Sequence, residues 1–327
     1  MTRPTTRDQW KKALDDLPSS SKIPAFYFAH GQPLLVWPAS AGPPRLQVDI
    51  QSPNGPLVQF LKDFGPALLS KYDPKAIVVF SAHWETSGEA LVSDYGDEDG
   101  LNPLLYDYFG FPQPLYDEVK FSSHGNSALA KRIVELFTKA RADVGIPPKA
   151  GIKARTSPKS EARGQDGRGF SGPGFDHGVF VPFIHMFSPT FNKIPIVQVS
   201  INSSLELDDE WALGRALDSL RSDGVLILAG GLPVHSFRER AAFSENTARP
   251  IFKEWSEAIL KASEIQEPEA RKDALYALPK HAGFRVSNPR EEHFIPLYVA
   301  AGAGEQGGSR ILCSLYGAPT IAFGIEA

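Results

Sequence analysis

Four histidines stand where an apolar run meets polar or glycine-bearing residues. His30 follows residues 25–29, His83 follows 76–80, His235 follows 225–229, and His177 opens the apolar run 179–187. Imidazole changes charge close to neutral pH and is a common metal ligand, so such residues could hold a metal, move protons, or both. Open α/β sheets collect their ligands outside the carboxyl ends of neighbouring parallel strands, which lets residues far apart in sequence converge. The separations between these histidines match no local metal motif of the His-Glu-x-x-His type, so the case for a shared site rests on topology. A lone histidine of this kind is more often a satisfied structural residue; its recurrence at four junctions is what favours a common site. His124, His185 and His281 lie in ordinary loop or helix contexts and read as structural or exposed. His293 falls between the two groups, with satisfied burial weighed against a role in a pocket.

The elements that must position these residues follow from the apolar patterning. Strands are expected at 25–29, 76–80, 90–93, 195–201, 225–229, 310–316 and 320–325. Helices are expected at 57–72, 126–144, 205–222, 249–263, 267–277 and 289–301, the last opening on Pro289 with Asn288 as its cap. This alternation predicts a single α/β domain over 24–327, with a mixed central sheet and helices on both faces. Residues 1–23 read as an amino-terminal arm with a short helix. Residues 147–174 lose periodicity and fill with Gly, Pro, Ser, Lys and Arg, and are expected to form a mobile surface insertion.

Composition narrows the function. Formal charge is −4, from 34 basic and 38 acidic residues, and no basic run gathers into a nucleic-acid footprint. Cys313 is the only cysteine, which excludes an intramolecular disulfide and thiolate clusters for zinc or iron–sulfur. Any metal must therefore be held by histidine, carboxylate or water. No segment has the length and apolarity of a membrane span, and the amino terminus lacks the apolar core of a signal peptide. A soluble protein is expected, with the cytoplasm as its default location and no nucleic-acid or membrane partner; the oligomeric state stays open. The densest aromatic patch, residues 104–112, reads as a local anchor for a loop. Beside a metal it could instead wall a flat substrate through Tyr106, Phe109 and Phe111.

Seven ordered motifs carry a family likeness. They are residues 24–33; Ser81-Ala82-His83-Trp84; Gly110-Phe111-Pro112-Gln113 with Leu115-Tyr116; Asp176-His177-Gly178; Val197-Gln198-Val199-Ser200-Ile201; Val234-His235; and Ser287-Asn288-Pro289 with Glu292-His293 and Pro296-Leu297. In this order the chain resembles the class III extradiol ring-cleavage dioxygenases, more closely their DOPA 4,5-dioxygenase-like subfamily, over roughly residues 24 to 325.

The resemblance implies a non-haem metal enzyme that opens a substituted, DOPA-like catechol beside one hydroxyl and inserts both atoms of O2. Its partners would be a small aromatic diol and dioxygen. By motif, His30, His83 and His235 correspond to the metal ligands, and His177 to the acid/base histidine, which in zinc-loaded relatives can lie close enough to count as a fourth ligand. His293, with the aromatic residues above, is expected at the substrate. Fe(II) is expected for activity, while an all-imidazole set also suits Zn(II) in the isolated protein. Two departures stand out: a third histidine replaces the glutamate of the wider superfamily, and Ser236-Phe237-Arg238 stands where the subfamily has Asn-Leu-Arg. Two other functions compete, a zinc-dependent hydrolase that activates water and a non-catalytic binding protein on the same scaffold. Aromatic walls argue against the first, and retention of all four histidines against the second.

Overall fold

A computed structural model describes residues 3–44, 49–96, 100–140, 151–158 and 174–326. Its strands, in chain order, are β1 (Ala25–Ala29), β2 (Ala76–Thr86), β3 (Ala90–Asp94), β4 (Ser122–Ser123), β5 (Ala154–Pro158), β6 (Thr190–Phe191), β7 (Ile196–Asn202), β8 (Val225–Gly231), β9 (Gly308–Leu315) and β10 (Ala318–Ile325). Eight of them form one sheet in the order β5-β3-β7-β2-β8-β1-β10-β9. The four inner strands β7, β2, β8 and β1 are mutually parallel, while β10 and β9 close one side in antiparallel pairing. The mixed α/β architecture expected from the sequence is thus present.

Strands β1, β2 and β8 are apolar on both faces because both are covered; β7, also covered, buries Gln198 and Ser200 on one face. On β2, Val78 and Phe80 join the core beneath helices Leu207–Ala216, Pro250–Ser263 and Pro296–Ala303. Ile77 and Val79 point the other way, into the core shared with helices Pro56–Tyr72 and His177–Phe187. The period-two alternation of a strand puts successive side chains on opposite faces, so an unbroken apolar run is what a doubly covered strand requires. On the first face, helices Leu207–Ala216 and Pro296–Ala303 approach until their backbones meet. A Cβ on Gly214 would stand 2.0 Å from the Val299 carbonyl oxygen, and one on Gly302 would stand 2.3 Å from that of Trp211. Only glycine at both positions allows this contact.

The structure departs from the sequence expectations in four places. β2 does not stop at Phe80 but runs on to Thr86, with its pairing to β7 out of register between Phe80 and Glu85. This irregularity contains His83, and such a break in the ladder re-aims side chains. The helix expected to open at Pro289 begins instead at Pro296, because a proline at 296 lacks the N–H that a helix already running from 289 would need there, whereas it suits the first turn of a new one. Residues 147–174 are not irregular throughout, since β5 pairs in parallel with β3; residues 147–150 and 159–173 lie outside the described residues. The amino-terminal segment forms helix Arg7–Asp15 and buries Trp10 and Leu14 in the same core as helix Pro56–Tyr72, so it is packed and not free. Among the described residues, no helix is long and apolar enough to cross a membrane.

Candidate metal centre

His30, His83, His177, His235 and His293 converge at the carboxyl rim of the inner strands. His30 directly follows β1, with its backbone N–H donating to the Gly231 carbonyl at the end of β8. His83 lies in the irregular part of β2, and His177 is the first residue of helix His177–Phe187. His235 and His293 come from two segments without regular structure that are stitched together. The His235 N–H donates to the Ser287 carbonyl at 2.8 Å, Leu232 N–H to that of His293 at 2.8 Å, and the Asn288 side-chain amide to that of Pro233 at 2.9 Å. Asn288, expected as a helix cap, is used here instead.

Ring positions sort these residues. The His83 centroid lies 5.1 Å from that of His30, 3.9 Å from His177 and 4.8 Å from His293. His30, His83 and His293 offer donor atoms that all fall within 4.8 Å of one another. A second such group is His83, Asp107 and His177, and a third is His235, Glu292 and His293. His293, expected at the substrate, thus groups with His30 and His83, while His235, expected as a ligand, groups with Glu292 and His293. The His235 ring stacks on that of His293 at 3.5 Å and meets Phe237 edge-on at 4.7 Å.

In four of the rings one nitrogen is anchored, always Nδ1. The Gly31 carbonyl lies 2.6 Å from His30 Nδ1, Asp107 Oδ2 3.0 Å from His83 Nδ1, Asp107 Oδ1 2.8 Å from His177 Nδ1, and Glu292 Oε1 3.1 Å from His293 Nδ1. A carbonyl or an ionised carboxylate only accepts, so each Nδ1 carries the hydrogen and each Nε2 keeps its lone pair. His30 Nε2 is buried without a hydrogen-bond partner. His83 Nε2 and His293 Nε2 face each other at 3.1 Å. Two lone pairs so opposed repel unless a proton or a cation lies between them. An orphaned buried nitrogen and a facing pair are what a metal held by His30, His83 and His293 would resolve, and three neutral imidazoles fit iron or zinc.

Carboxylates hold this arrangement from behind. Asp107 is buried on the segment between β3 and β4, and its Oδ1 also accepts the His177 backbone N–H at 2.8 Å. Burial alone would raise its pKa, but His177 and His83 outweigh that and hold the carboxyl well below the ordinary range. Asp176 caps helix His177–Phe187 by accepting the Gly178 N–H at 2.9 Å, and also accepts from Ser81 Oγ and Gln198 Nε2, each at 2.6 Å. Behind His293, Arg290 grips buried Glu85 with both guanidinium nitrogens and lies 3.6 Å from Glu292.

The aromatic residues divide. Tyr108 places its ring 5.7 Å from that of His177 and 5.2 Å from that of Phe111, which in turn meets Trp37 at 6.2 Å. Tyr106 turns its hydroxyl to the Val119 carbonyl at 2.7 Å and its ring against Phe180, as a loop anchor would. Phe109 is 81% exposed. Asp107 and Tyr108 were not singled out from the sequence. The available signal was an acidic residue between aromatic ones, since a charge in an apolar run must be paired if it is buried.

Burial, reinforced by nearby His177, pushes the His30 pKa down from 6.5 to about 4. In the metal-free protein this has a signed consequence. Between pH 6.5 and about 4 the unfolded chain binds a proton that folded His30 refuses, so stability falls through that window, by about 3 kcal/mol for this residue alone. Urea unfolding of the metal-free native protein and His30→Gln at pH 7, 5 and 4 checks it: the variant should lose less stability on acidification, and equal losses would refute it.

Residues 25–324 match the family model for the catalytic LigB subunit of aromatic ring-opening dioxygenase. The chain belongs to this ring-opening dioxygenase family. It is 41% identical over 318 residues, 97% of each chain, to a 4,5-DOPA dioxygenase extradiol-like protein of Schizosaccharomyces pombe. It is 30% identical to the 4,5-DOPA dioxygenase extradiol of Beta vulgaris, over 87% of this chain and 92% of that one. The crystal structure of an uncharacterized protein from Escherichia coli K12 shares the fold, with a TM-score of 0.60 at 24% identity, covering 92% of this chain and 100% of that one. In this ring-opening dioxygenase family member, buried histidine and carboxylate groups are therefore present that could hold the metal the family's chemistry uses.

Proposed function

We propose that the protein is an extradiol dioxygenase that opens the ring of a substituted, DOPA-like catechol with both atoms of O2. In this reading His30, His83 and His293 hold Fe(II), and His177 and His235 flank it. The observation that carries the proposal is the facing pair of Nε2 atoms on His83 and His293, both rings anchored from behind by carboxylates, beside the orphaned Nε2 of His30.

Bound Fe(II) would supply adjacent open positions for the two catechol oxygens and for dioxygen. The chain's own residues do the rest. His177, its Nδ1–H donated to Asp107, presents Nε2 beside His83, placed to take a catechol proton and to return it during ring opening. Tyr108 and Phe111 wall the side near His177 with aromatic surface suited to a flat ring. His235, half-buried and backed by His293, stands on the other side with Phe237, where it can touch the substrate. The carboxylates hold the rings and stay out of the reaction.

The test is oxygen consumption. Protein stripped of metal and reloaded with Fe(II) without air should, on exposure to O2 and a DOPA-like catechol, consume one O2 per ring opened and yield a yellow ring-cleavage product. Absence of oxygen uptake across a panel of substituted catechols would refute the assignment.

A further inference from the structure

We propose that Asp107 is a positioning residue that sets the hydrogen positions of two site histidines at once, and that the backbone N–H of His177 makes this arrangement intolerant of an amide at position 107. The proposal rests on the reading of His83 as a metal ligand. One carboxylate oxygen, Oδ1, accepts both the His177 backbone N–H and the His177 Nδ1–H, each at 2.8 Å. The other, Oδ2, accepts the His83 Nδ1–H at 3.0 Å. A carboxylate serves both rings because both its oxygens accept. Asp107 comes from neither ring's own element, so a single side chain ties β2 to the start of helix His177–Phe187.

Asparagine at 107 has one accepting oxygen and one donating nitrogen. A backbone N–H cannot reverse its polarity, so the amide oxygen must take the place of Oδ1, where two donors meet. The amide nitrogen then faces His83 Nδ1 and presents a hydrogen to it. To accept, His83 must move its own hydrogen to Nε2, which removes the lone pair a metal would use. His177 keeps its native form. The near-isosteric substitution should thus harm metal binding more than truncation does, because alanine removes the acceptor without presenting a donor.

Titration of Zn2+ into metal-free native protein, Asp107→Asn and Asp107→Ala, followed by calorimetry, tests this alongside thermal unfolding of each. Asp107→Asn is expected to bind Zn2+ roughly 10- to 100-fold more weakly than native protein, and more weakly than Asp107→Ala, although Asp107→Ala is the less stable. In the metal-free Asp107→Asn protein, ring 15N shifts should show the His83 hydrogen on Nε2 and the His177 hydrogen still on Nδ1, with the His83 signal assigned by its loss in His83→Gln. Native-like Zn2+ affinity in Asp107→Asn, affinities that follow the order of stability, or an unchanged His83 would each overturn the proposal. Failure of native protein to bind Zn2+ would instead count against the metal reading, and the 15N measurement, which needs no metal, would still decide the role of Asp107.

Discussion

His293→Ala is expected to bind no stoichiometric metal and to consume no oxygen, whereas His235→Ala is expected to keep its metal and lose turnover. The contrast follows from where the two rings lie. His293 shares a donor cluster with His30 and His83, and its Nε2 faces that of His83 at 3.1 Å; His235 stacks on His293 and groups with Glu292 and His293, but not with His30 or His83. Removal of a ring that holds the ion should exceed the roughly 10–100-fold loss in affinity seen when a supporting partner is removed. Removal of a ring that touches only substrate leaves affinity near native and lowers kcat, by roughly 10²–10⁴-fold if the ring takes part in proton transfer. Metal content after dialysis, together with oxygen uptake, separates the two. The reverse pattern, with His235→Ala empty and His293→Ala loaded, would restore the ligand set His30, His83 and His235 implied by family resemblance.

For His177→Ala the expected outcome is retained metal with kcat reduced roughly 10²–10⁴-fold, as for loss of a general acid/base. The ring sits 3.9 Å from that of His83 by centroid, yet its Nδ1 is fixed by Asp107, so its free nitrogen and not its bulk is what the reaction would use. Added imidazole should restore part of the rate, because the truncated ring leaves space of its own shape. A structural role predicts no such rescue, since backbone and packing are not repaired by a small solute. Loss of metal in His177→Ala would make it a ligand and would remove the acid/base assignment.

How much of this was legible in the chain depends on what each residue had to signal. The inner strands announce themselves because they are covered on both faces: β1, β2 and β8 carry unbroken apolar runs, and β7 an apolar run interrupted only by Gln198 and Ser200. His30 and His83 inherit their visibility from those runs. His293 had no such marker: it follows Asn288-Pro289 in a segment whose composition suits a helix start, and only the second proline at 296 displaces the helix and leaves the histidine in a turn. β5 was hidden for the opposite reason. It is an edge strand whose residues Ala154–Pro158 are largely polar, and its partner β3 supplies the regularity that its own sequence lacks. Asp107 sits among aromatic residues that draw attention to themselves, and what it binds, one ring from β2 and one from a helix 70 positions later, is a fact of three dimensions alone.

The strand order carries a consequence for how the protein is made. β8 lies between β1 and β2, so the rings of His30 and His83 owe their spacing to a strand that leaves the ribosome long after both. Until β8 inserts, β1 and β2 have no shared neighbour to set them apart, and the third ring, His293, is later still. These are contacts of large sequence separation, which form slowly. A growing chain therefore carries its histidines without a cradle for them, and in the proposed reading an ion would be captured only after the sheet has closed, as a sign of correct closure and not as a template for assembly.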